Sequence, residues 1–152
     1  MKFFVILVSL LCIQSASAAE YNAFTPLVEA VTTENTSAYA IETLIKKGGR
    51  VNERDEQGRT VLMLASIYLS DPIAFVFLIE GGAEVNARTP DTGQTALFFA
   101  AQYNQNPEVV RTLLSSGADR TAKDVFGRTA YDYAERNPKL KDSPTRLLLQ
   151  EH

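Results

Sequence analysis

The residues that most clearly match a known catalytic motif are Asp91, Thr92 and Gly93. They lie in the stretch ARTPDTGQTALFFAAQYN, residues 87–104. In an aspartic protease, an Asp-Thr-Gly triplet carries one of two carboxylates that face each other and share a proton. This sequence has one such triplet, and Pro90 precedes it. A single carboxylate cannot perform that chemistry. The triplet therefore predicts a turn, with glycine at the tip and Asp and Thr bonded to nearby backbone.

The remaining residues offer little further chemistry. The one histidine is His152 at the end of the chain, and the one cysteine is Cys12. No Gly-x-Ser-x-Gly motif and no phosphate-binding loop occurs. Because there is neither a nucleophile beside a base nor a set of metal ligands, we expect a protein that is not an enzyme and that uses no metal or cofactor.

Composition indicates one globular domain without a nucleic-acid partner. The 152 residues are 45% hydrophobic and 22% charged, with a formal net charge of −3. The 15 Lys and Arg residues are scattered along the chain, so no basic stripe is available for a phosphate backbone.

The N-terminus has the pattern of a secretory signal peptide. Lys2 precedes an apolar run over residues 3–13, and Ala-Ser-Ala follows at residues 16–18. We expect cleavage after Ala18. The apolar run is too short for a membrane span, which takes about 20 residues, so no stable membrane insertion is expected. The alternative is a buried N-terminal helix.

Cys12 lies inside this removable segment. The processed chain, residues 19–152, would therefore contain no cysteine and could form no disulfide. Lipid attachment at Cys12 is an alternative, but Leu11 stands where a small residue is expected.

Two motifs recur along the rest of the chain. Thr25, Thr60, Thr95 and Thr129 each open an apolar segment, at intervals of 35, 35 and 34 residues. A glycine-led motif follows the first three, at residues 48–52, 82–86 and 117–121. Two motifs held in phase over three periods predict a repeat array.

Each repeat reads as two helices. The threonines are suited to cap the first helix, and Asp-Pro, Asn-Pro and Ser-Pro pairs predict that second helices begin at Pro72, Pro107 and Pro144. Gly48, Gly82 and Gly117 predict where second helices end. The predicted buried stripes of the second helices are Ile41, Leu44 and Ile45, then Phe75, Leu78 and Ile79, then Val110, Leu113 and Leu114, and finally Leu147 and Leu148.

The motifs Thr-x-Leu, Ala-Ala, Pro-Glu-Val-Val-Arg-Thr-Leu-Leu, Gly-Ala-Asp and Asp-x-x-Gly-Arg-Thr resemble those of ankyrin repeats over residues 20–150. The resemblance implies an all-α solenoid of four stacked helix-turn-helix units joined by β-hairpin-like loops. The expected units span about residues 20–54, 55–88, 89–123 and 124–152. One unit cannot bury its own apolar stripe, so stacking is required for stability.

The sequence departs from the family at one position. The usual histidine after the conserved leucine is Val28, Met63, Phe98 and Asp132 here. Its loss removes a hydrogen bond between repeats. We expect Met63 and Phe98 to fill the vacated space as core residues.

The resemblance also implies a partner protein, bound across the concave face and the hairpin tips. The matching helix-end positions are Ile67, Tyr68, Gln102 and Tyr103. The matching tip positions are Arg54, Gln57, Arg59, Arg88, Asp91, Gln94, Phe126 and Arg128. Aromatic and arginine side chains are typical of binding hot spots. Alternatively, Tyr68 and Tyr103 only cover the inter-helix turns. We expect the chain alone to be monomeric.

Together with the signal peptide, the resemblance to exported ankyrin proteins of bacteria implies a periplasmic or secreted binding protein that restrains or protects a partner enzyme, as an inhibitor or immunity protein does. Two alternatives are a secreted effector that binds a host protein and a structural assembly subunit. Asn35, Thr36 and Ser37 match the glycosylation pattern. The favoured interpretation of this triplet is a polar turn in which Thr36 or Ser37 caps a helix.

Overall fold

The computed structural model describes residues 25–33 and 36–150. The predicted signal peptide at residues 1–18, Asn35 and His152 lie outside the described residues. The described chain contains eight helices: α1 (Pro26–Thr32), α2 (Ala38–Lys46), α3 (Val61–Tyr68), α4 (Pro72–Glu80), α5 (Ala96–Tyr103), α6 (Pro107–Ser115), α7 (Ala130–Ala134) and α8 (Pro144–Leu147).

The helices form two layers. The first helices of successive pairs, α1, α3, α5 and α7, pack side by side in one layer, and the second helices, α2, α4, α6 and α8, pack side by side in the other. The core lies between the layers and contains Leu27, Leu62, Leu97, Phe75 and Leu113, all of them fully buried. The all-helical prediction is confirmed for the part of the chain that the structure describes, which has a single isolated β-bridge, between Arg54 and Thr60.

Side chains fix where the second helices begin. Asp71, Asn106 and Ser143 each accept a hydrogen bond from the backbone N–H two residues ahead, at 3.0, 3.0 and 3.2 Å. Ser37 caps α2 in the same way, by accepting from Ala40 N at 3.2 Å. The three helix starts predicted from proline are confirmed.

Glycines follow the ends of the second helices, as predicted. Gly48, Gly82 and Gly117 have φ angles of 91°, 96° and 87°. A side chain is strained in this left-handed conformation, so the positions favour glycine.

The first helices are capped less uniformly than expected. Thr60 accepts from Met63 N at 3.4 Å, but Thr95 makes no side-chain cap and its buried hydroxyl has no partner among the described residues. The backbone amide of Phe98, three residues ahead, donates to the backbone carbonyl of Thr95 at 3.1 Å. The predicted threonine cap is therefore wrong for α5, and it is also wrong for α1, where the Thr25 hydroxyl donates to Glu53 and makes no cap.

The predicted buried stripes hold for the first three second helices, where Ile41, Phe75, Leu78, Val110 and Leu113 are buried. The remaining members, Leu44, Ile45, Ile79 and Leu114, are partly buried and pack against the core.

The prediction for the last helix is wrong. Leu147 and Leu148 are 51% and 37% exposed, while Leu149 is buried. After Pro144 the backbone N–H groups of Arg146, Leu148, Leu149 and Gln150 donate to the carbonyl three residues earlier. This tighter winding carries the inward position past Leu148.

Two asparagines join the glycine motifs of successive pairs. Asn52 Nδ2 donates to Gly82 O at 2.8 Å, and Asn52 Oδ1 accepts from Glu84 N at 2.8 Å. Asn86 makes the equivalent bonds to Gly117 O and Asp119 N, at 2.9 and 2.8 Å.

A second asparagine pair lies in the buried inter-helix turns. Asn104 Nδ2 donates to the carbonyls of Ser66 and Leu69, and Asn137 Nδ2 donates to those of Ala101 and Asn104, all at 2.7 to 3.1 Å. These four asparagines supply polar bonds between repeats in a chain that lacks the usual histidine.

Buried carboxylates organise two of the hairpin tips. Asp124 Oδ1 accepts from Phe126 N and Arg128 N, both at 2.9 Å, and Oδ2 accepts from Tyr133 Oη at 2.7 Å. Burial raises the pKa of Asp124, but these hydrogen bonds and the charge of Arg128 outweigh burial and hold the pKa below its ordinary value of 3.8. Asp55 arranges the first tip in the same way, through Gln57 N and Arg59 N.

We expect Leu113→Ala to lower the free energy of unfolding by about 2–5 kcal/mol, because it opens a cavity in the fully buried centre of the array. Urea denaturation measures the loss. Leu147→Ala is the matched control, since it removes the same atoms from an exposed side chain. Equal effects of the two substitutions would contradict the packing described above.

Asp124 should make stability depend on pH in the acid range. Its pKa is lower in the folded chain, so it stabilises the fold above the unfolded pKa, and this contribution is lost as pH falls through the folded pKa. We expect urea midpoints measured between about pH 5 and pH 2 to fall less steeply in Asp124→Asn than in the unmodified chain. Asp142→Asn, at an exposed position, controls for the loss of one charge. An identical slope in Asp124→Asn and the unmodified chain would contradict the assignment.

Candidate functional site

Two tyrosines emerge from otherwise buried helices. In α3 and α5 the first six residues, 61–66 and 96–101, are all buried. Ile67 and Gln102 are half-buried, and the last residues, Tyr68 and Tyr103, are 52% and 46% exposed. Because α3 packs directly against α5, the two helix ends are neighbours. We call Ile67, Tyr68, Gln102 and Tyr103 the helix-end surface.

The hairpin tip before α7 presents a second aromatic group. Phe126 is 67% exposed, and Val125 beside it is also exposed. The guanidinium carbon of Arg128 lies 4.6 Å from the Phe126 ring centroid and 4.8 Å from that of Tyr133. Stacking against a cation of this kind stabilises an aromatic ring in one orientation.

This tip is anchored to the core through Tyr133. The Tyr133 ring packs edge-on against Phe98, with the ring centroids 5.7 Å apart, and the Tyr133 hydroxyl donates to Asp124. Burial raises the pKa of Tyr133, and the hydrogen bond to the Asp124 carboxylate raises it further. Phe98 is fully buried, as is Met63, so the prediction that both are core residues is confirmed.

Arg54 and Arg88 bind neighbouring tips to each other. Arg54 Nη1 donates to the carbonyl of Arg88 at 3.1 Å and to that of Gly58 in its own tip. Arg88 Nη2 donates in turn to the carbonyl of Lys123. Both arginines were predicted as partner contacts, and the structure uses their side chains to align the tips.

The same tips also meet through backbone. Val125 N donates to Thr92 O at 3.0 Å. A Cβ atom on Gly58 would lie 2.5 Å from Pro90 Cδ, so only glycine permits this approach. Together with the arginines, these contacts hold the three tips as one ridge. We call Arg54, Gln57, Arg59, Arg88, Asp91, Gln94, Phe126 and Arg128 the tip ridge.

The remaining arginines of the tip ridge are paired with carboxylates. Arg59 Nη2 lies 2.6 Å from Asp55 Oδ2 and donates to Gln57 Oε1 at 3.0 Å. Arg128 Nη2 lies 3.1 Å from Asp124 Oδ2. Because these two positive charges each have a buried negative partner, they add little net positive charge to the ridge.

The Asp91-Thr92-Gly93 triplet forms the turn that was predicted. Asp91 Oδ1 accepts from Thr92 N at 2.7 Å, and Gly93, with a φ of 69°, donates to Thr89 O at 3.0 Å. The backbone hydrogen bond from Thr92 holds the pKa of Asp91 below its ordinary value. Gln94 accepts from the Thr92 hydroxyl at 3.1 Å and braces the same turn.

Within residues 25–33 and 36–150, no cluster of three His, Cys, Asp or Glu side chains is placed to hold a metal ion. Over the same residues, none of the helices combines the length and the apolar character that crossing a membrane requires.

The structure exposes an apolar cluster that sequence reasoning missed. Tyr39 on α2 and Ile73 and Val76 on α4 are exposed on the second-helix layer. The repeat spacing carried a signal for it, because α4 has Ile73 and Val76 where α6 has Glu108 and Arg111.

A family profile described as "Ankyrin repeats (3 copies)" matches residues 72–151, just over half of the chain. Among curated proteins, the chain is similar to the BRCA1-associated RING domain protein 1 of Caenorhabditis elegans, with 34% identity over 101 residues, covering 66% of this chain and 14% of that protein.

It is also similar to the ankyrin repeat and SAM domain-containing protein 6 of Rattus norvegicus, with 39% identity over 98 residues, covering 64% of this chain and 10% of that protein. It is also similar to the human neurogenic locus notch homolog protein 2, with 36% identity over 92 residues, covering 51% of this chain and 4% of that protein. The chain thus spans a small part of each relative. The layered helix pairs, the recurring motifs and the profile match lead to one conclusion: the chain belongs to the ankyrin repeat family, whose repeats are in general non-catalytic modules for binding other proteins.

Proposed function

We propose that the chain binds a partner enzyme across the helix-end surface and the tip ridge, and that it restrains or protects that enzyme in the periplasm. The main support for this proposal is that α3 and α5 each bury six consecutive residues and then expose a tyrosine at their last position. Exposed tyrosines at the centre of a protein surface are typical of binding hot spots, since they bury a large area and lose little side-chain entropy.

The tip ridge supports this proposal because it is already ordered. Arg54, Arg88 and the contact between Val125 and Thr92 tie the tips together before any partner arrives. A surface that is fixed in advance loses little conformational entropy on docking. Phe126 is likewise held by Arg128. A few buried aromatic rings on such a surface can therefore give tight binding.

Charge makes a smaller contribution in this proposal. Arg59 and Arg128 are paired with Asp55 and Asp124 inside the chain. Charge pairs at an interface mainly raise the association rate and make binding sensitive to salt. With these arginines already paired, we expect affinity to come from Tyr68, Tyr103 and Phe126. The mechanism would be occlusion, in which the chain covers a surface that the enzyme needs for activity.

The compartment follows from the N-terminal pattern. Lys2, the apolar run over residues 3–13 and Ala18 support export and cleavage. In this proposal the processed chain meets its enzyme outside the cytoplasm and does not enter the bilayer. A secreted effector acting on a host protein would use the same surfaces, and the two roles differ in where the processed chain accumulates.

We expect the protein recovered from its own cells to begin at Ala19. Edman sequencing and intact mass of the periplasmic fraction and of the culture medium measure the start and the location together. Ala18→Arg should block cleavage, because the site requires a small residue, while Gln14→Arg outside the site should not. A chain beginning at Met1 in the cytoplasm would contradict export, and a processed chain found mainly in the medium would favour the effector role.

We expect Tyr68→Ala combined with Tyr103→Ala to weaken partner binding by about 2 kcal/mol or more, because it removes two exposed anchors. The thermal melting curve should stay nearly unchanged, since both rings are about half exposed. The partner is first captured from periplasmic extract on the immobilised chain and identified by mass spectrometry, and the affinity is then measured by calorimetry.

Tyr39→Ala is the matched control for this pair, because Tyr39 is an exposed tyrosine on the opposite layer. It should leave the affinity unchanged. Equal binding by the double variant and the unmodified chain would refute the assigned surface. A captured enzyme whose activity is the same with and without the bound chain would refute the restraining or protecting role.

A further inference from the structure

The second-helix layer carries an exposed apolar cluster. Tyr39 on α2 is 68% exposed, and Ile73 on α4 is 49% exposed. Val76 is exposed and Phe77 is half-buried one turn further along α4. The Tyr39 and Phe77 ring centroids lie 6.0 Å apart, which joins the two helices into one patch. We call Tyr39, Ile73, Val76 and Phe77 the apolar patch.

The patch does not follow from the fold, because the next repeat is polar at the same positions. In α6 the residues equivalent to Ile73, Val76 and Phe77 are Glu108, Arg111 and Thr112. Stacking requires the inner face of a second helix to be apolar and leaves its outer face free. An apolar outer face confined to one repeat therefore calls for a separate explanation, and contiguous exposed apolar groups are typical of an interaction surface.

Opposite charges flank the patch. The fifth helical position is Glu42 in α2, Val76 in α4 and Arg111 in α6. Since these helices pack side by side in that order, the fifth position is acidic on one side of the patch and basic on the other. At the fifth position this arrangement becomes complementary to itself when it is turned by 180° about an axis that runs parallel to α4. The exposed Glu80, one turn beyond Val76, would lie near its own copy in that arrangement, which limits the affinity.

We propose that the apolar patch is the interface of a two-fold symmetric dimer with a second copy of this chain. In this dimer α4 packs along α4 of the second copy, and Glu42 faces Arg111 of the second copy. The two-fold axis makes the same charge pair occur twice, once on each side of the apolar centre. This dimer would replace the monomer that the sequence led us to expect, and it keeps both helix-end surfaces outside the contact.

The flanking charges can take part without loss of strong contacts. Glu42 pairs with Lys46 at 2.5 Å, and Arg111 pairs with Glu108 at 3.2 Å, both within their own helices. Glu42 is half-buried and the other three side chains are exposed, and surface pairs of this kind contribute little to stability. Exchanging them for pairs across the dimer therefore costs little, and Lys46 and Glu108 stay close enough to extend the charge network.

The patch is small, so the dimer should be reversible. Stable interfaces bury about 1,200–2,000 Å² in total, and four large side chains on each copy form only the centre of such an area. We therefore expect micromolar affinity. The proposal is independent of the proposed function, because the helix-end surface and the apolar patch lie on different layers.

Sedimentation equilibrium of the processed chain, residues 19–152, tests the dimer. We expect the unmodified chain to dimerise and Val76→Glu to raise the dissociation constant at least about tenfold, because it places two like charges on the axis. Ile73→Lys is a second variant at an equally accessible site, and circular dichroism checks that each variant is folded. Tyr103→Ala, on the helix-end surface, should dimerise like the unmodified chain. An unmodified chain that stays monomeric up to about 1 mM would overturn the proposal.

Charge reversal separates this dimer from unspecific association, including any association through the residues before Thr25, which are the same in every sample. Glu42→Arg alone and Arg111→Glu alone should each raise the dissociation constant several-fold. The two substitutions together restore the opposite charges, and we expect the dissociation constant to return to within about threefold of the unmodified value. A double variant as weak as either single variant would overturn the geometry.

Discussion

The structure depends on the stacking of apolar helix faces between neighbouring helix pairs. Leu62 and Leu97, near the starts of α3 and α5, are fully buried only because the adjacent pair covers them. No pair closes a core by itself, so each contributes stability through its neighbours. The alanines at 65, 100 and 101 are also fully buried, and their small size lets successive first helices approach closely. Because the stacked residues are all buried in the core, the residues available for recognition are those at helix ends, at hairpin tips and on the outer face of the second-helix layer.

Polar bonds determine how the stacked pairs are aligned. Apolar contacts are not directional, but Asn52 and Asn104 each bind specific backbone atoms of an adjacent pair. Arg54 does the same between hairpin tips. These bonds recur along the array at nearly the repeat length. The positions of Tyr68, Tyr103 and Phe126 relative to one another are therefore fixed by the same bonds that hold the repeats together, which gives a partner a surface that is already assembled.

The two layers offer surfaces of different character. On the first-helix side, tyrosines and a stacked phenylalanine project from a scaffold whose arginines are already paired. On the second-helix side, Val76 lies between an acidic and a basic neighbour in equivalent positions. The first arrangement suits a large apolar contact with another protein, and the second suits a copy of itself. A solenoid can carry both, since its stacking residues are separate from its outward ones.

The sequence by itself determined the repeat, the two helices in each unit and the starts of the second helices, because capping side chains, proline and glycine act on their own backbone. It also identified Met63 and Phe98 as core and Asp91 as a turn residue. Three features were decided only by the tertiary structure. Leu149, and not Leu148, is the buried leucine after α8, and the hydroxyl of Thr95 has no partner among the described residues. The side chains of Arg54 and Arg88 span neighbouring tips. Those outcomes depend on atoms some 30 residues away or on the winding of a single short turn, and local periodicity carries no information about either.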